Sequence, residues 1–280
     1  MYSTTTFLKN SKRSGRLMGT HQKIDKMARR LLAKHLPKGT YFPSYQEIVR
    51  FEGNNGPDGL KNKSPGVDEP MHFILPSKDD GKLIKLIKNH QYNLRQALKK
   101  GDHTRASFEA AWLAHAVSDG LTPAHHFPLE QVASELMTEK EYVKLFGHKV
   151  KGIMHGRSLA ETLRNNWLYW GGNGYMSKHI AFEFGIIITT AALPDRSLMP
   201  ELTAKDFTNI NLEKEFYRSL QRIAQLDMYT RFCQSGWTTD LAIETKEVLL
   251  PEIIRAVTLA WASALSPTKS TKPARQKGAR

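Results

Sequence analysis

The chain has 280 residues, 40% hydrophobic and 24% charged, which is the composition of an ordinary globular protein long enough for one large domain or two small ones. Its formal net charge of +14 favours anionic partners such as nucleic acid, anionic lipid headgroups or phosphorylated substrates, although 266–280, rich in Lys and Arg and without an acid, supplies part of that excess. A single cysteine, Cys233, excludes an intramolecular disulfide and a thiolate zinc site, so any metal must be held by His, Asp and Glu.

Residues 1–19 read as a flexible basic leader without the apolar stretch of a signal peptide, and a cytoplasmic location is expected. Thr20 caps a helix over His21–His35, in which Ile24, Met27, Ala28, Leu31 and Leu32 recur at helical spacing before Pro37 and Gly39. A short helix over Tyr45–Phe51 precedes a long Gly-, Pro- and Asn-rich loop, Gly53–Pro76, that contains Asp58, Asp68, Glu69 and His72. The periodicity predicts a helix over Gly81–Lys100, broken by Gly101, and another capped by Asp102 or Thr104 and stopped by Pro123. Short helices are predicted over Leu129–Met137 and Glu139–Phe146, with Gly152–Gly174 the least regular part. A long apolar helix over Tyr175–Leu193 ends at Pro194, and amphipathic helices over Leu212–Gln234 and Thr239–Leu265 follow. The longest apolar run, Phe184–Leu193, is too short to span a bilayer, so no transmembrane segment is expected. Without strand-like alternation the class is all-α: one multi-helix bundle over 20–265, followed by a disordered basic tail at 266–280.

Within this frame the stretch AWLAHAVSDGLTPAHHF, residues 111–127, is anomalous. Positions four apart share a helix face, so His115 and Asp119 point the same way among Trp112, Leu113, Ala116 and Val117. A hydrogen-bonded His–Asp pair is the plainer explanation of such a motif taken alone. His179 and Glu183 repeat the spacing in KHIAFEFGIIITTAAL, where Glu is hard to bury unpaired. Two such pairs on two apolar helices of one bundle are how carboxylate–imidazole metal sites are built. His125, His72, Asp58 and His21 add further nitrogen and oxygen donors, a set that Zn²⁺ accepts. His148 and His155 are rival ligands, Asp68 or Glu69 could replace Asp58, and surface or capping roles are expected for His103 and His126.

These residues resemble the zinc-dependent phospholipase C and single-strand-specific zinc nuclease superfamily. The resemblance rests on His115-x3-Asp119-x5-His125 with Thr122-Pro123 before the last His, on Gly19-Thr20-His21, on Asp58 and His72 in order and spacing, and on His179-x3-Glu183. It runs from about Gly19 to Leu193 and implies an all-α bundle with two or three zinc ions. Asp58, His72, His115 and Asp119 would hold one ion, His125, His179 and Glu183 a second, and His21 with a bridging Asp119 a third. Asp58 would also be the catalytic base that orients water. The implied activity is phosphodiester hydrolysis by metal-activated water on phospholipid headgroups. Apart from the resemblance, the positive charge allows peripheral contact with an anionic membrane or nucleic acid. A single-strand nuclease is the alternative, for which Trp167, Tyr169 and Trp170 would offer stacking surfaces, as is a non-catalytic zinc-binding protein on this scaffold. Two departures stand out. In the family an N-terminal Trp also binds the third zinc, whereas the first Trp here is Trp112, and the segment at about 129–174 is an insertion longer than expected.

Overall fold

A helix that is apolar on every side belongs in a core rather than on a surface. In the computed structural model, which describes residues 19–57, 72–78, 81–137, 153–191 and 193–265, the helix carrying His115 and Asp119 is the central element. The described residues form α1 (Thr20–His35), α2 (Tyr45–Ile48), α3 (Lys82–Lys100), α4 (His103–Gly120), α5 (Leu129–Leu136), α6 (Leu159–Trp170), α7 (Tyr175–Ala191), α8 (Leu212–Ala224), α9 (Met228–Ser235), α10 (Thr239–Glu244) and α11 (Leu250–Leu265), with no strand among them. Every residue of α4 from Glu109 to Gly120 is buried. Helices α1, α2, α3 and α11 pack around it, so that His115, Ser118 and Asp119 are buried.

Helix α11 is the second buried rod. The indole Nε1 of Trp261 donates to the Ala110 carbonyl at 2.8 Å, pinning α11 to α4. One stretch of the described residues, Thr239–Leu265, is long and apolar enough to cross a membrane, yet 83% of its most apolar window is buried inside the fold, as in a core helix. Its predicted continuity is interrupted by a π turn over Thr245–Leu249 just ahead of Pro251. Proline has no N–H to offer and crowds the carbonyl four residues back, and a wider turn accommodates both.

Other boundaries also differ from the sequence reading. Gly19, rather than Thr20, is the N-cap of α1, and Gln22 accepts its backbone N–H. Of the two expected caps of α4, Asp102 serves, accepting from the Arg105 N–H. The helix predicted over Leu212–Gln234 is two helices, α8 and α9, because Asp227 takes a left-handed φ of 48° between them. The part predicted as least regular contains α6, started by Ser158, whose side chain accepts from the Glu161 N–H. The predicted helix Glu139–Phe146 lies outside the described residues.

Two apolar cores result. The larger one gathers α1, α3, α4, α8 and α11. A smaller one, built from Leu129, Ala133, Met137, Met154 and Tyr169, lies under α5 and α6, and Phe73 and Phe127 pack against it. Lys23 on α1 caps the end of α7, its Nζ donating to the carbonyls of Thr190 (2.5 Å) and Leu193 (2.6 Å). This clamp sets the position of α7 relative to α1, and hence that of its polar side chains relative to His21.

Candidate metal centre

Helical spacing places His115 one turn before Asp119 on α4, and His179 one turn before Glu183 on α7. The chain leaves α4 through a 3-10 turn, Pro123–His126, that points His125 back toward both pairs. His72 approaches in an extended segment held to that turn, with the Ile74 N–H donating to the His125 carbonyl at 3.0 Å. His21 enters from the first turn of α1. Imidazoles from four segments thus face Asp119, and α7 joins them through Glu183 and His125.

The two oxygens of Asp119 face different imidazoles. Oδ1 lies 3.1 Å from His21 Nε2 and 3.9 Å from His125 Nε2. Oδ2 lies 3.1 Å from both His72 Nδ1 and His115 Nε2. Glu183 Oε1 faces His125 Nε2 at 3.1 Å and His179 Nε2 at 3.2 Å. Ligand atoms bound ~2.0–2.1 Å from one tetrahedral zinc ion stand roughly 3.3–3.4 Å apart, so these spacings match donors aimed at shared ions. Two buried groups, His21–His115–Asp119 and His125–His179–Glu183, could each hold a metal ion.

Neighbouring groups fix the imidazole edges. The rings of His21 and His115 stack with centroids 4.2 Å apart and planes 8° from parallel. His125 Nδ1 donates to the His72 carbonyl at 3.3 Å, which leaves Nε2 as the nitrogen turned to Glu183. Phe73 stacks on the His125 ring, with centroids 4.9 Å apart. Burial pushes the Asp119 carboxyl upward, but the positive groups around it, His115 and His125 among them, outweigh burial and hold it well below the usual carboxylate range. Glu183 is depressed in the same way, with His179 and His125 set against its burial. Burial also lowers His125 to about 4, against the pull of Asp119 and Glu183. The two carboxylates are therefore held in the ionised form, the protonation state in which they can bind a divalent cation.

The residues singled out from the sequence fare differently. His21, His72, His115, Asp119, His125, His179 and Glu183 come together. Asp58, Asp68, Glu69 and His148 lie outside the described residues. His155 is among the described residues and belongs to neither group. His126 caps the end of α4 by donating from Nε2 to the Gly120 carbonyl at 3.0 Å, and exposed His103 stacks on Tyr41.

Two buried carboxylates next to His115 escaped the sequence reading. Glu52 is 1% exposed, and its Oε2 lies 3.5 Å from His115 Nδ1, the ring nitrogen opposite the one that faces Asp119. Asp25, also 1% exposed, follows His21 by four residues. Burial, and then the Glu52 carboxylate, push the Asp25 carboxyl well above its ordinary range, while His115 opposes them. His21-x3-Asp25 is a third instance of the His-x3-acid spacing and was the available signal. Comparison of the chain with protein-family models, curated proteins and solved structures finds no match.

Proposed function

We propose that the protein is a zinc-dependent phosphodiester hydrolase of the phospholipase C kind, acting on phospholipid headgroups. The observation that carries this reading is the position of Asp119, whose two oxygens face imidazoles from four different segments beside a separate His–His–Glu group. Zinc is favoured over harder cations because imidazole outnumbers carboxylate. Two imidazoles and one carboxylate at His125, His179 and Glu183 are a three-ligand set of the type that keeps a fourth position open in catalytic zinc sites. His21, His72, His115 and Asp119, joined by Asp58 as the resemblance implies, would hold the remaining zinc.

Bound zinc would supply Lewis acidity toward a phosphoryl oxygen and lower the pKa of water toward neutral. The chain's own groups supply the rest. Asp119 and Glu183 stay ionised and orient the imidazole edges; Asp58 would orient the attacking water and take its proton. The net charge of +14 suits an anionic phosphodiester, and it also keeps a single-strand nuclease as the second reading.

The test compares hydrolysis of phosphatidylcholine vesicles with that of single-stranded DNA by the metal-loaded full chain. Release of diacylglycerol, abolished by Asp58→Asn, is the expected result. Cleavage of DNA alone would transfer the assignment to a nuclease, and turnover of neither would leave a zinc-binding protein without this activity.

A further inference from the structure

Among the described residues, nine of the eleven large hydrophobic side chains that are exposed lie between Ile153 and Ile188. Scattered surface apolar residues need no explanation, but a concentration of this kind marks an interaction surface. Helix α6 accounts for most of it. Its inner face sends Tyr169 into the small core. Its outer face carries Leu159, Leu163 and Trp167, spaced by four and therefore in one stripe, with exposures of 77%, 65% and 74%. Trp170 extends the stripe at 41%. Exposed Arg157 and Arg164 flank it.

The helix carrying the stripe is linked to the candidate metal centre through the small core. His125 and His179, at 7% and 6%, are the most exposed of the convergent ligands, and His21, His72, His115 and Glu183 are each 1% exposed. Phe73 stacks on His125 and also packs against the small core that supports α6. Phe73 and the small core thus lie between the helix that bears the ridge and the His125 imidazole.

We propose that the Leu159–Leu163–Trp167 stripe docks the protein on the surface of an anionic phospholipid bilayer and brings the His125–His179 side of the metal centre to the headgroups. Trp and Leu beside Arg is the side-chain mixture of a helix lying in the headgroup–acyl boundary, where it needs no complementary shape. The charge of +14 adds attraction to anionic lipid. A single-stranded nucleic acid would call for successive aromatic platforms, whereas Leu159 and Leu163, half of this stripe, are aliphatic. The docking itself stands on the exposed stripe and the charge; its catalytic purpose rests on the hydrolase reading.

The experiment measures co-sedimentation of the full chain with vesicles of phosphatidylcholine alone and of equal parts phosphatidylcholine and phosphatidylserine. The wild type is compared with the double variant Leu163→Ser/Trp167→Ser, and both are assayed on p-nitrophenyl phosphorylcholine, a water-soluble phosphodiester. The wild type should partition onto the mixed vesicles more strongly than onto phosphatidylcholine alone. The double variant should bind them roughly tenfold more weakly or worse, and keep its metal content and its turnover of the soluble substrate. Wild type that does not bind mixed vesicles overturns the proposal. So does a double variant that binds them like wild type, or one whose only change is dissociation of a dimer. Lost vesicle binding in a variant whose wild type turns over no phosphodiester would retain the docking surface and reject the hydrolase reading.

Discussion

His115 lies between two carboxylates, with Nε2 3.1 Å from Asp119 Oδ2 and Nδ1 3.5 Å from Glu52 Oε2. One imidazole edge thus faces the metal group and the other faces a buried acid on a different segment. This is the arrangement in which an outer carboxylate fixes the orientation of a ligand histidine.

Glu52→Gln tests that role. The side chain keeps its size but loses the charge that favours a proton on His115 Nδ1. Metal affinity should fall by about 10–100-fold. Because the substitution also removes a buried carboxylate beside Asp25, the melting temperature of the metal-free protein should hold or rise. Metal titration and thermal melts separate the two effects; a lower metal-free melting temperature with unchanged affinity would make Glu52 structural.

Gly185 lies two residues beyond Glu183 on α7, and a Cβ there would enter the indole ring of Trp237. Gly185→Ala must displace either the ring or the helix. Thermal melts should show a loss of about 1–3 kcal/mol, with weakened metal binding at the His179–Glu183 pair as α7 shifts.

Stability should also depend on pH through His126. Burial holds its imidazole down to about 4; the bond to the Gly120 carbonyl pulls it up, and His125 pushes it further down. The unfolded imidazole titrates near 6.5. Between those values the unfolded chain binds a proton that the folded chain lacks, so stability falls as pH drops through that window and is unaffected above it. Melts of the metal-free protein across about pH 4–7 should show this slope, and His126→Asn should reduce it by one group's share.

Much of the centre was legible because α4 and α7 are apolar helices, where a polar pair at four-residue spacing stands out. His21 and Asp25 have the same spacing, but α1 is strongly amphipathic and rich in Lys and Arg, so an acid there looks like part of a solvated face. Glu52 sits in a turn region without periodicity, and its burial depends on tertiary packing alone. The break at Asp227 was hidden because a left-handed residue inside a continuous amphipathic pattern leaves no compositional trace. Helix α6 was obscured because its apolar residues lie on both faces, Tyr169 inward and Leu159, Leu163, Trp167, Leu168 and Trp170 outward, which blurs the periodicity.

The most direct test is the metal stoichiometry of the purified full chain by elemental analysis, beside Asp119→Ala and His179→Ala. The two groups predict at least two ions per chain. Asp119→Ala should lose metal from the His21–His115 group and keep the ion at His125–His179–Glu183; His179→Ala should do the reverse. A wild-type chain that binds no metal, or content unchanged in both variants, would contradict the account.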